Sequence, residues 1–156
     1  MIKQFVPQKI CLSCQGCCRF AEAKSVWSVR LLKEEKKRLR LAAYDLPLIP
    51  ASAHQPYVCV FFMPCKNKCL EYATRPFECR LYPFLLNRFG NKVVLAVDTH
   101  CPFVQKTIHS KKFSSYAAYL AKLFLTGPYL ALLKDNVHIA GCYPDAVNLK
   151  ELFSLT

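Results

Sequence analysis

Four thiols fall within eight residues at Cys11-Leu-Ser-Cys14-Gln-Gly-Cys17-Cys18. A looser group follows at Cys65, Cys69 and Cys79, and Cys101 stands beside Pro102. Thiols this close pair poorly with one another. Residues a few apart in a loop seldom meet disulfide geometry, and adjacent ones do so only with strain. The same spacing lets thiolates converge on a metal ion or cluster. Cys11, Cys14 and Cys17 have the x2, x2 spacing with which ferredoxin-type loops hold three corners of a cubane. The side chains of Cys17 and Cys18 tend to diverge, so they serve different metals or one of them bridges. Together the eight thiols suffice for two four-ligand sites, or for one site plus spare reactive thiols. Soft sulfur selects zinc or iron–sulfur over magnesium or calcium. The expected cofactor is therefore an iron–sulfur cluster, of the [4Fe-4S] kind, or Zn2+.

Two further cysteines fall outside this pattern. Cys59 sits in the apolar stretch Tyr57-Val-Cys-Val-Phe-Phe-Met63 and reads as a small buried hydrophobe. Cys142 has no companion nearby. The histidines His54, His100, His109 and His138 show no ligand spacing, and only His100, next to Cys101, offers a nitrogen near a candidate thiol.

The elements that would position these thiols can be read coarsely. Residues 1–10 read as extended and 11–19 as a loop, with Gly16 allowing a tight fold. Ser25-Val-Trp-Ser-Val-Arg-Leu-Leu32 is rich in β-branched and aromatic residues and predicts a short strand. A helix is expected from about Lys33 to Ala43, with Glu34 and Glu35 in its first turn and Arg38 and Arg40 later. Pro47, Pro50, Pro56 and Pro64 predict loops around a buried strand over 57–63. Arg75 to Arg80 predicts one helical turn with Pro76 at its first position. Gly90-Asn91 between two apolar runs signals a hairpin over 84–97. Ser114 or Ser115 would cap a helix to about Leu125, and after Gly127-Pro128 a second short helix would reach about Leu133. The stretch 117–133 is interrupted by Lys122 and Gly127-Pro128, so it reads as two core-packed helices and no membrane span.

Taken together, the motifs carry a resemblance. The stretch Cys11 to Cys18 comes first. Then follow Cys69-Leu-Glu-Tyr72-Ala-Thr-Arg75-Pro76-Phe-Glu-Cys79-Arg80-Leu-Tyr-Pro83 and Cys101-Pro102. This order resembles the bacterial and archaeal cysteine-cluster (CxxCxxCC) family, a zinc- or iron-chelating domain related to flagellin lysine N-methylases. Val26-Trp27 and the acidic-started helix after them fit as well, so the likeness covers about residues 8–104. Phe103 stands where that family usually has glycine after Cys-Pro, and the gap from Cys65 to Cys69 is shorter than usual. The resemblance implies a metal site, with Cys11, Cys14, Cys17, Cys18, Cys65, Cys69, Cys79 and Cys101 as its ligands. Arg75 and Arg80, flanking Cys79, would donate to sulfur or offset its charge. The competing role for each arginine is a surface ion pair with Glu71 or Glu78. Tyr72 and Tyr82 could bond sulfur or backbone, though packing with a wet edge is the commoner role.

Composition bounds the rest. The 156 residues fit one domain, with 8–104 as the metal-binding region and 105–156 as a helical extension. The formal charge is +12. Eight thiolates on two zinc ions or two cubanes would bring it to roughly +8. That excess suits nucleic acid, an anionic surface or an acidic partner. On a helix, Lys33, Lys37 and Arg40 share one face that could meet phosphate, although a solvated face with local Glu34–Arg38 pairing is more common. The only glycines are Gly16, Gly90, Gly127 and Gly141, none in a GxGxxG or P-loop, so neither standard nucleotide cradle is present. The start Met1-Ile-Lys-Gln-Phe-Val-Pro has no apolar signal region, so a reducing, cytoplasmic setting is expected. The sequence thus predicts a small α+β domain, with short strands and loops around a cysteine cluster and a helical C-terminal part. Its expected function is that of an iron–sulfur protein in redox or methyl-transfer-type chemistry with a protein partner or acidic substrate. The alternatives are a zinc-stabilised binding module with a basic surface and a zinc- or iron-handling protein.

Overall fold

The computed structural model describes residues 2–14, 16–51, 56–143 and 149–155. It is an α+β protein whose contacts divide it into two compact units. One holds Ile2 and residues 6–80; the other holds residues 3–5 and 81–155. The division falls at Arg80–Leu81, inside the span 8–104 that the sequence pattern groups together.

The 6–80 unit is built from very short elements: α1 (Gln8–Ser13), β1 (Arg19–Phe20), α2 (Lys33–Arg38), β2 (Leu48–Pro50), β3 (Tyr57–Cys59), β4 (Phe62–Met63), β5 (Lys68–Cys69) and α3 (Phe77–Leu81). β3 lies between β1 and β2, antiparallel to both, with Arg19 opposite Val58 and Ile49 also opposite Val58. β4 and β5 pair separately, Phe62 facing Cys69. Phe20, Leu31, Leu46, Val58, Cys59 and Phe62 form a buried core cluster in this unit, and Cys18 packs against it.

Several local expectations change here. Residues 8–13 are helical, not extended, because the Pro7 carbonyl accepts the amides of Ile10 and Cys11 and so starts a turn. The strand expected over 25–32 is absent. Its serines fold it into turns instead: the Ser25 hydroxyl accepts the Trp27 amide at 3.2 Å, and the Ser28 hydroxyl donates to the Leu46 carbonyl at 2.8 Å. Only Arg30 makes a bridge, to Asp45. α2 stops at Arg38, short of Ala43, because Arg40 takes a left-handed conformation (φ 54°) and Leu41 bonds back to the Lys36 carbonyl. The strand over 57–63 breaks into β3 and β4 at Val60-Phe61.

The second unit contains β6 (Phe84–Phe89), β7 (Lys92–Asp98), α4 (Pro102–Thr107), α5 (Lys111–Phe124), α6 (Gly127–Asp135) and β8 (Leu149–Ser154). The hairpin is as expected. Phe89 faces Lys92 across Gly90-Asn91, and Gly90 supplies the positive φ that the turn requires. β8 adds to the other edge of β7, a non-local pairing that the sequence reading leaves open. The cap of α5 lies four residues before Ser114, at Ser110, whose hydroxyl accepts the Phe113 amide at 3.2 Å. Its buried stripe of Phe113, Ala117, Leu120 and Phe124 has helical spacing. α4, with Pro102 in its first turn, is an element the sequence reading does not anticipate. Among the described residues no single helix is long and apolar enough to cross a membrane; α5 and α6 meet that test only as a pair bent by 70°.

Phe84 is the centre of an aromatic cluster. Its ring lies 5.4 Å from Phe5, 5.5 Å from Phe113 and 5.2 Å from Tyr116, centroid to centroid. The Tyr116 hydroxyl also donates to the Lys3 carbonyl. Aromatic rings in such contact contribute beyond the area they bury. Phe84→Ala is therefore expected to lower the unfolding free energy by about 3–5 kcal/mol, read as a fall in the urea midpoint followed by far-UV circular dichroism.

Candidate metal centre

The backbone brings the thiols of the 6–80 unit together by small, specific devices. α1 carries Cys11 and ends at Cys14. A turn closed by the Arg19 amide on the Gly16 carbonyl (3.0 Å) presents Cys17 and Cys18. An alanine at 16 would meet the Cys14 sulfur at 3.5 Å, an ordinary contact, so the turn does not demand the glycine. The Cys59 amide then donates to the Cys18 carbonyl at 3.0 Å, seating the end of β3 against this turn.

Asn67 ties the second cysteine group to the first. It sits between Cys65 and Cys69 in the left-handed region (φ 47°), which asparagine tolerates better than most residues. Its side-chain amide donates to the carbonyls of Leu12 (2.5 Å) and Cys14 (3.4 Å), while its oxygen accepts from the Arg19 guanidinium at 2.7 Å. That guanidinium also lies 4.4 Å over the Phe62 ring. The sequence reading passes over Asn67. Its only advance signal is an asparagine, a common left-handed residue, inside the tight Cys65–Cys69 gap.

Cys17 is the electrostatic hub. It raises the thiol pKa values of Cys11, Cys18, Cys59, Cys69 and Cys79. Burial is the main cause for Cys11 and Cys59, both pushed up to about 11. Burial also leads for Cys69, and desolvation holds Cys79 well above the ordinary thiol value. Cys18 rises most directly through its hydrogen bond with Cys17, then through burial. Cys14 acts on Cys11 in turn. Seven thiols therefore form one interacting set: Cys11, Cys14, Cys17, Cys18, Cys59, Cys69 and Cys79. Cys17 is exposed while Cys59 is buried.

Counter-effects favour thiolate at chosen positions. The Arg75 guanidinium pulls down Cys11 and Cys69. It is held 4.0 Å over the Tyr72 ring, and the Tyr72 hydroxyl hydrogen-bonds Cys11. The amide of Phe61 donates to the Cys59 sulfur, and that of Glu71 to the Cys69 sulfur. Arg80 does something different. It faces Glu35 at 3.8 Å, not Glu71 or Glu78, which pair instead with Arg38 (3.3 Å) and Arg30 (3.9 Å). Tyr82 donates to Asp98 at 2.8 Å.

The remaining candidates lie elsewhere. Cys65 is exposed on the 3-10 turn Pro64–Lys66. Cys101 is buried at the start of α4, in the 81–155 unit, which also holds Cys142, His100, His109 and His138. His54 lies outside the described residues. Cys59 is buried as the sequence suggests, yet its neighbours include thiols, which its apolar flanks conceal.

A family model matches residues 10–102, with the description "putative zinc- or iron-chelating domain". The chain belongs to this CxxCxxCC family. Neither the curated proteins nor the solved structures searched contain a match. The family match spans the whole interacting thiol set, so metal binding is the function it supports. The donor chemistry fits such a metal: seven soft sulfurs, two with amide donors and two beside a guanidinium. Among the described residues no three His, Cys, Asp or Glu groups already stand at ligating positions. Metal binding would have to expel the protons that burial favours on these thiols.

Two contacts around the CxxCxxCC thiols can be tested. Asn67→Ala removes the clamp and strains the left-handed position, whereas Asn67→Gly removes only the clamp. Both should destabilise, alanine more than glycine, by about 1–3 kcal/mol, followed in urea by the fluorescence of Trp27, the only tryptophan. Glu35 accepts the amides of Leu32 (3.0 Å) and Phe77 (2.6 Å), yet burial raises its pKa above the ordinary carboxylate value. A raised folded-state pKa gives stability that is present at low pH and lost as pH rises through it. The stability difference between Glu35→Gln and the parent should therefore shift toward the variant as pH climbs through the carboxylate range. A pH-independent difference in urea titrations would refute the assignment.

Proposed function

We propose that residues 6–80 hold a metal centre ligated wholly by sulfur. The further reading is that this centre is an iron–sulfur cluster working in redox or methyl-transfer-type chemistry with a partner. The observation that carries the proposal is the interaction of one thiol, Cys17, with five others drawn from α1, the following turn, β3, β5 and α3. Cys11, Cys14 and Cys17 would supply three ligands at cubane spacing. The fourth would come from Cys18, Cys59, Cys69 or Cys79. Such a cluster, when bound, supplies one-electron transfer. The chain's own part is to bind and tune it. The Phe61 and Glu71 amides and the Arg75 charge lower the electron density on sulfur, which raises a cluster's potential and favours metal binding near neutral pH.

A zinc centre is the second reading, supported by the small core of this unit. With a core cluster of six buried residues among those described and strands of two or three residues, the unit would gain much from a metal that completes it. Zinc would then be structural, and chelation would unfold residues 6–80.

The deciding measurement is metal, acid-labile sulfide and a visible spectrum on protein purified without oxygen. Iron with matching sulfide supports the cluster; zinc without sulfide or colour supports the structural centre. The ligand set is tested in parallel. Cys17→Ser should lose roughly half or more of the bound metal, since a four-coordinate site missing one sulfur rarely keeps it. Cys65→Ser should retain all of it. The reverse result would place the centre around Cys65 and overturn the seven-thiol set.

A further inference from the structure

The seven interacting thiols differ in how far solvent reaches them. Cys59 is buried and Cys11, Cys14, Cys18, Cys69 and Cys79 are half-buried, whereas Cys17 alone in the set is exposed. This exposed thiol is also the one whose charge acts on most of the others. Cys65 and Cys142 are exposed as well, but they stand outside the set.

The backbone explains the contrast. Gly16 and Cys17 lie between two anchors. On one side the Asn67 side chain holds the Leu12 and Cys14 carbonyls, at 2.5 and 3.4 Å. On the other the Cys59 amide holds the Cys18 carbonyl at 3.0 Å. Gly16 is exposed like Cys17, so these two form the crest of the turn that the Arg19 amide closes. Groups of the unit hold several of the remaining sulfurs: the Tyr72 hydroxyl at Cys11, the Phe61 amide at Cys59 and the Glu71 amide at Cys69. The Cys17 side chain hydrogen-bonds another thiol, Cys18.

A structural sulfur site is closed, whereas a site that reacts keeps a position open to an incoming ligand. We infer that Cys17 is the exchange ligand of the centre, the sulfur that a soluble thiol displaces when the protein passes on its metal as cargo. This rests on the sulfur-ligated centre proposed above. The incoming thiol loses its proton and its sulfur bonds to the metal. The bond to the Cys17 sulfur breaks, and that sulfur takes up a proton. The number of sulfurs on the metal is unchanged and nothing is oxidised. The crest gives the new ligand access, and the two anchors keep the other thiols in place while Cys17 lets go.

The test follows release of metal from the full chain, as isolated with its metal, to a chromogenic chelator in the presence of glutathione. Tenfold more glutathione should speed release about tenfold, because the thiolate is the attacking ligand. Iodoacetamide followed by peptide mapping should modify Cys17 before the other six, and roughly half or more of the metal should leave as it does. Metal kept by Cys17→Ser should leave at a rate that glutathione does not change, while metal kept by Cys11→Ser should still respond. If Cys17→Ser keeps no metal, the order of modification in the parent decides. Three results would overturn the inference and leave the sulfur centre standing: release from the parent that ignores glutathione, earlier modification of another thiol in the set, or metal retained once Cys17 is fully modified. A chain that holds neither zinc nor iron, as isolated or after loading without oxygen, overturns both.

Discussion

Side chains reaching distant backbone hold residues 6–80 together, and the rest of that unit depends on them. Strands of two or three residues supply few ladder bonds. Asn67 fixes the Leu12 and Cys14 carbonyls, Glu35 joins the start of α2 to the start of α3, and Glu78 accepts the Arg30 amide at 2.5 Å. Each bond crosses more than forty residues of chain. Two of them also flank the thiols in sequence, Asn67 between two cysteines and Glu78 next to Cys79, and Glu35 pairs with Arg80, the residue after Cys79. The scaffold of the site and the scaffold of the unit are therefore the same few contacts.

The electrostatics follow from that arrangement. Packing thiols against one another and against an apolar core holds them protonated. Arg75 and the two amides act in the opposite direction at Cys11, Cys59 and Cys69. A divalent ion or cluster would tip this balance by replacing protons with a stronger positive charge.

What the sequence makes legible is what local chemistry determines. Gly90-Asn91 fixes the hairpin because the turn and its flanks carry their own signal. The α+β class follows from alternating strand and helix patterns, and the cysteine motif leads directly to the family. Contacts set by distant partners are much harder to see. Cys59 reads as a buried hydrophobe and is one, within an apolar cluster, but the thiols that also lie near it leave no trace in its sequence neighbours. Ser25 and Ser28 turn a β-prone segment aside through hydroxyl bonds that residue propensity does not weigh. β8 pairs with a strand more than fifty residues earlier, which no local pattern announces.

The packing of Phe5 has a consequence for synthesis. Its ring partners, Phe84, Phe103, Phe113 and Tyr116, are encoded about a hundred residues later. At about 5–20 residues per second, Phe5 leaves the ribosome roughly 5–20 s before the last of them. Residues 6–80 are complete well within that interval. A nascent chain can therefore meet its metal while its own first residues still wait for the partners that will bury them.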